Sequence, residues 1–144
     1  MICNISLTHK DAILPTYAHG PEEDAGMDLR SIEYVVLYPN IPRLVGTGIC
    51  LEIPSGYEAQ IRPRSGLAIN HAITIPNAPA TIDPGYRGEV KVILLNLGIQ
   101  VYTINIGDRI GQMVFSKYES IEWAEVKVLA ASVRGIGGFG SSGK

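Results

Sequence analysis

Five short segments of this chain combine residue types able to handle a small phosphorylated molecule. The stretch Arg134 to Lys144 reads RGIGGFGSSGK, with five glycines in eleven residues. Glycines let backbone N–H groups converge on an anion, serine adds hydroxyl donors, and arginine offers a two-pronged contact to phosphate. Phe139 in the same stretch could stack on a base. The competing reading is a frayed Gly/Ser terminus, and the segment alone does not separate the two. Pro63-Arg64-Ser65-Gly66-Leu67-Ala68 sets a guanidinium, a hydroxyl and free N–H groups where a strand gives way to a helical turn. That is either a second anion-binding arrangement or a capped turn with an exposed arginine.

Asn77 to Glu89 reads NAPATIDPGYRGE, in which Ile82 and Tyr86 flank the turn sequence Asp83-Pro84-Gly85. Such a turn folds the chain back as a hairpin. Asp83 either closes the turn through an Asx hydrogen bond or stands ionised at a pocket mouth, able to take a proton from water. Ala25-Gly26-Met27-Asp28-Leu29 holds another lone carboxylate, and in Gly107-Asp108-Arg109-Ile110-Gly111-Gln112 the neighbours Asp108 and Arg109 read as a turn with its own ion pair. His9, His19 and His71 share no metal-ligand spacing, and His71 reads as a structural residue. HExxH and complete Walker GxxxxGK[ST] patterns are absent, and no Ser/His/Asp ordering is read.

The elements that must carry these segments alternate with period two. Ile2 to Leu7, Tyr34 to Tyr38, Val45 to Ile53, Tyr57 to Ile61, Ala72 to Ile75, Val90 to Leu97, Val101 to Ile106 and Ile110 to Tyr118 read as strands. Glu119 to Ala131 joins them because Ile121, Val126 and Val128 alternate. One helical turn is expected over Ser65 to Asn70, with a serine capping it. Turn sequences such as Pro54-Ser55-Gly56 and Pro76-Asn77-Ala78-Pro79 separate the strands, which predicts an all-β sandwich or barrel.

Composition bounds the rest. A chain of 144 residues fits one domain able to bury roughly 70% of its unfolded surface, so its core needs no disulfide or metal. At 46% apolar and 18% charged it is not a disordered chain, and 16 Gly with 9 Pro fit short strands and tight turns. A net charge of −2 argues against stable nucleic-acid binding. No apolar run is long enough to span a bilayer as a helix, and no secretory pattern opens the chain. Cys3 and Cys50 form no CxxC pair and read as small core hydrophobes of a reduced, cytoplasmic protein.

Taken in chain order, AGMDLRS, PRSGLA, NAPATIDPGYRGE, GDRIGQMV and RGIGGFGSSG resemble the five motifs of the trimeric deoxyuridine triphosphatase (dUTPase) family. The resemblance spans residues 25 to 143. It implies a jelly-roll-like, all-β (β-clip) domain over residues 1 to 133 and a flexible Gly-rich lid over 134 to 144. It further implies a homotrimer with active sites at the subunit contacts. The reaction implied is Mg²⁺-assisted hydrolysis of dUTP to dUMP and pyrophosphate, which keeps uracil out of DNA and supplies dUMP for dTMP synthesis.

By that resemblance, Asp83 would activate the water that attacks the α-phosphorus. Asn77, Thr81 and Ile82, with the rest of the hairpin, would hold uracil, and Lys91 would close it. Tyr86 would lie under the deoxyribose. Arg64, Ser65, Gly66 and Gln112 would contact the phosphates, and Asp28 would reach Mg²⁺ through water. Arg134 would bind the γ-phosphate while Phe139, with Gly140 and Ser141 beside it, closes on uracil. Ala80 stands where the family usually has Gly, Ala72 where it has the Gly of His-Gly, and Gly111 where Ala is common. A rival resemblance, to dCTP deaminase, shares this fold, but that family carries an Arg-Ser-Ser motif and lacks the Arg/Phe tail, so Ser65-Gly66 and the tail favour the triphosphatase.

Overall fold

The computed structural model of the chain describes residues 2–139 and Ser141. Its elements run β1 (Asn4–Leu7), β2 (Met27–Arg30), β3 (Val35–Leu37), β4 (Arg43–Glu52), β5 (Tyr57–Arg62), α1 (Ser65–His71), β6 (Ile73–Thr74), β7 (Ala80–Ile82), β8 (Glu89–Asn96), β9 (Tyr102–Ile104) and β10 (Arg109–Lys117). All strand pairs are antiparallel. One four-stranded sheet has the order β1-β4-β8-β6, a second has β2-β10-β5-β7, and β3 pairs with β9. This is the all-β architecture expected from the alternation.

Period two also sorts the side chains. Along β8, Val90, Val92 and Leu94 are buried while Glu89 and Lys91 share the outward face. Along β5, Ala59 and Ile61 turn inward and Gln60 and Arg62 outward. The inward residues of all three sheets meet in one apolar cluster that includes Leu29, Leu37, Ile49, Ile104, Ile110 and Met113. Burying a side chain of this size contributes about 1.5–3 kcal/mol, which makes the cluster the main support of the sheets.

Several sequence expectations need correction. Glu119 to Ala131 forms no strand: Trp123, Val128 and Leu129 are more than 80% exposed, and the backbone finds no ladder partner among the described residues. Alternation alone does not make a strand, because its N–H and C=O groups must be paired with another strand. The turn at Asp83 forms, with the Tyr86 N–H donating to the Asp83 carbonyl at 3.1 Å. Its two arms are not ladder partners, however, since β7 pairs with β5 and β8 pairs with β4 and β6. The turn carries the chain from one sheet to the other. The short strands β2 and β7 escaped the pattern because three or four residues are too few to show a period. Ser65 is the first residue of α1 rather than its cap; Arg64 occupies the cap position and makes no side-chain cap bond. Both thiols are half-buried rather than in the core, and burial pushes the Cys3 thiol up.

Candidate active site

The predicted site residues fall into two pockets and a tail. The first pocket, about 260 Å³, lies at the turn between the sheets and gathers Asn77, Thr81, Ile82, Asp83, Tyr86 and Lys91. Backbone geometry builds it. The Tyr86 hydroxyl donates to the Glu89 carbonyl at 3.0 Å, which folds the ring against Gly88. A Cβ on Gly88 would stand 2.5 Å from that hydroxyl, so only glycine admits the arrangement. Asp83 is exposed at the turn, where its carboxylate can hold a water molecule. Ala80, Leu44 and Ile93 supply apolar wall. Ala80 pairs with Ile61 in the ladder and needs no glycine backbone there.

The second pocket, about 220 Å³, collects Asp28, Arg64, Ser65, Gly66 and Gln112. It draws on β2, β10 and the start of α1, and Gln112 sits directly across the ladder from both Asp28 and Arg62. Gly26 makes room for Gln112: a Cβ there would lie 2.5 Å from its Oε1. The Gln112 amide donates to the Pro63 carbonyl at 2.9 Å, which ties β10 to the loop carrying Arg64. Space beside Gly66 is open, so its backbone is accessible.

Charge dominates this second pocket. Asp28 accepts from the Arg64 Nε at 3.0 Å and from an Arg109 guanidinium nitrogen at 3.2 Å. The expected Asp108–Arg109 pair is therefore absent: Arg109 reaches across the ladder to Asp28, and Asp108 instead accepts the Asn105 N–H that closes its turn. His19 and Asp24 also line the pocket. Asp24 accepts the His19 backbone N–H at 2.6 Å and lies 3.2 Å from the ring Nδ1. The hydrogen bonds from His19 hold the Asp24 carboxyl below the usual range. His19, Asp24 and Arg109 were not singled out from sequence, since nothing in their spacing announces a shared cavity.

The two pockets share no lining residue. Asp28 lies on β2 and Thr81 on β7, the opposite edge strands of one sheet, which are three ladder steps or about 14 Å apart. The described tail residues line neither pocket. Arg134 turns back on its own segment, donating from Nε to the Gly137 carbonyl at 2.8 Å, and Phe139 is fully exposed. The Ser141 N–H donates to the Gly138 carbonyl, and Gly140 lies outside the described residues.

The glycine and alanine substitutions noted in the sequence have local reasons. Ala72 closes α1 in the left-handed region, φ 55° and ψ 30°, where glycine is the unstrained choice. A Cβ on Gly111 would meet its nearest neighbours at 3.5 Å, ordinary contact, so alanine would fit there too. His71, at the end of α1, packs its ring 4.5 Å from that of Tyr102, the structural role expected of it.

Residues 10–143 match the dUTPase family model. The deoxyuridine 5'-triphosphate nucleotidohydrolase of Solibacter usitatus is 65% identical over 144 residues, covering 100% of this chain and 97% of that protein. The enzyme of the same name from Clostridioides difficile is 52% identical over 133 residues, covering 92% of each. Among solved structures, a mutant dUTPase of Staphylococcus bacteriophage 80alpha with dUpNHpp matches with a TM-score of 0.91 at 27% identity, over 99% of both chains. A mutant dUTPase from phage phi11 of S. aureus, described with a structural Mg(II) ion, matches with a TM-score of 0.83 at 25% identity, over 91% of this chain and all of that one. With motifs, fold and full-length relatives in agreement, this chain belongs to the dUTPase family of hydrolases.

Proposed function

We propose that the chain hydrolyses dUTP to dUMP and pyrophosphate, with Asp83 as the general base. The observation that carries this reading is the pairing of one partly apolar pocket bearing Asp83 and Lys91 with a second, polar pocket bearing Arg64, Ser65, Gly66 and Gln112. The first suits a pyrimidine and its sugar, with Asn77, Thr81 and Ile82 around the base, Lys91 above it and the Tyr86 ring under the deoxyribose. The second suits a polyphosphate. Asp83 takes a proton from water, the water oxygen bonds to the α-phosphorus, and the bond to the α–β bridging oxygen breaks to release pyrophosphate. Arg64 and the Gln112 amide meet charge on the phosphate oxygens without having to be built at the moment of reaction.

The donor set fits Mg²⁺ carried in by the triphosphate. Asp28 is a carboxylate in the phosphate pocket, and no cluster of three or more His, Cys, Asp or Glu able to hold an ion occurs among the described residues. Asp28 would hold the ion through water, and the ion, when bound, neutralises phosphate charge.

The separation of the pockets supports an assembled site. A nucleotide gripped by both at once is served best by the base pocket of one copy against the phosphate pocket of another, in a homotrimer. The unpaired outer edge of β1 and the alternating, exposed apolar residues between Glu119 and Ala131 are the surfaces such an assembly would cover. Residues 134 to 144 act as the lid: Arg134 reaches the γ-phosphate and Phe139, followed by Gly140 and Ser141, covers the base. Two free thiols fit a cytoplasmic setting, where the reaction withholds uracil from DNA and yields dUMP for dTMP synthesis.

Pyrophosphate release from dUTP, dCTP, dTTP and UTP tests the reading: rapid release from dUTP alone is expected, and equal rates or none would overturn it. Light scattering should give the mass of three chains. Mixing Asp83→Asn chains with Arg64→Ala chains should restore activity that neither shows alone, because one intact composite site can form. Failure to restore any activity would mean each chain carries its own complete site.

A further inference from the structure

The loop between β1 and β2 carries a histidine into the second pocket, and the reaction as just described leaves it without a role. The loop is closed on itself at three levels. At its base the Asp28 N–H donates to the Thr16 carbonyl at 3.0 Å. At its tip the Glu23 and Asp24 N–H groups both reach the carbonyl of Gly20, which sits at φ +105°. Between these, the Asp24 carboxylate accepts the His19 backbone N–H at 2.6 Å and lies 3.2 Å from the ring Nδ1. The imidazole is 76% exposed, so Asp24 rather than packing fixes its place. With Nδ1 given to the carboxylate, Nε2 is the nitrogen left for a ligand, and in the protonated ring it is a donor.

The charge balance of the pocket gives that donor its weight. Arg64 and Arg109 bring two positive charges, Asp24 and Asp28 bring two negative ones, and the other lining residues besides His19 are uncharged. Both arginines are already paired with Asp28. Glu22 and Glu23, on the same loop, are exposed and line no part of the cavity. The hydrogen bonds from His19 hold the Asp24 carboxyl below its usual range, so it stays ionised beside the ring. The lining is therefore neutral with a neutral imidazole and carries one positive charge with an imidazolium. We infer that His19, oriented by Asp24, is a further polyphosphate-binding residue whose protonation sets the affinity of this pocket for a triphosphate. An imidazolium with a carboxylate on Nδ1 and a phosphate oxygen on Nε2 is stabilised from both sides, so the anion and the proton favour each other's binding. The inference rests on the dUTP reading above for the identity of the polyphosphate.

The test compares His19→Gln and His19→Lys with the wild type, with Mg²⁺ present, at about pH 6 and about pH 8.5, either side of the ordinary imidazole value. Taking the ratio of variant to wild type at one pH cancels the ionisation of the nucleotide itself. For His19→Gln, KM for dUTP should rise about fivefold at the lower pH and stay within about 1.5-fold at the higher, with kcat within about twofold. That is the loss of a charge-assisted contact from an exposed side chain, made only where the ring is protonated. His19→Lys, a lasting cation, should match the wild type at the lower pH and show a KM about threefold below it at the higher. Calorimetric titration with inorganic tripolyphosphate should give the same pH-dependent ratios in Kd. Equal ratios at both pH values, or a His19→Lys protein as impaired as His19→Gln, would overturn the inference and leave His19 a loop-closing residue. Wild-type protein inert towards dUTP would overturn the functional reading, while the tripolyphosphate ratios would still decide the role of His19.

Discussion

The two pockets stand on one domain but are held in shape by different forces. Around Asp83, backbone does the holding: a turn closed by a main-chain bond, a tyrosine folded over Gly88, and the Glu89 carboxylate tied to the Gly48 N–H. Around Asp28, charge does it, with one carboxylate shared between two guanidiniums that reach it from different elements. The first arrangement is ready before any ligand arrives and loses little freedom on binding. On the proposed reading the second would trade internal ion pairs for contacts to phosphate, so its grip would depend on charge balance and salt. A base is selected by shape, which favours rigidity; a triphosphate is gripped by charge, which tolerates rearrangement.

The largest effect should come from the rigid pocket. Asp83→Asn preserves the shape of the turn but cannot take a proton, so kcat for pyrophosphate release should fall by roughly 10²–10⁴-fold while KM for dUTP holds. A variant turning over at near the wild-type rate would move the base elsewhere and dissolve the contrast between the pockets.

Removing residues 134–144 comes next. The described part of that segment is exposed and adds nothing to the core, so Tm should stay within about 1 °C while kcat drops by roughly 10²-fold as water enters the site. Arg134→Ala should reproduce much of that loss, since one charge-assisted contact to a developing anion is worth about 3 kcal/mol. Full activity in the truncated protein would mean that the two pockets suffice without a lid.

A smaller change probes how the charged pocket is scaffolded. Its Arg64 and Ser65 hang on α1, which ends on the left-handed Ala72. Ala72→Gly relieves about 1 kcal/mol of backbone strain and should raise Tm by about 3 °C in thermal melts. A lower Tm would show that the methyl group packs better than the backbone fits.

The smallest effect is one of pH. Asp24 has a depressed pKa in the folded state, caused first by the His19 backbone N–H. Its contribution to stability is therefore present above the unfolded carboxyl value, about 3.9, and is lost as pH falls through the lower folded value. Asp24→Asn should lower stability slightly at neutral pH and, by the same small amount, flatten the acid limb of a stability-against-pH curve below about pH 4. An acid limb identical to the wild type would show that this loop does not report on the charged pocket.

Local chemistry made much of this protein legible in advance. Period-two runs such as Val90 to Leu94 declare strands because alternate residues must face core and water, and the Asp83-Pro84-Gly85 turn follows from residue types alone. The five motifs, each weak alone, gain weight only together, through their resemblance to one family. What sequence could not show was which segments become neighbours. Arg109 pairs with Asp28 rather than Asp108 because β10 lies beside β2, a fact of sheet order and not of spacing. Glu119 to Ala131 alternates like a strand yet finds no partner among the described residues, since pairing depends on an edge that another part of the molecule must offer. His19, Asp24 and Glu89 gain their places only when separate elements close around one cavity, because electrostatics and hydrogen bonds act through space and not along the chain.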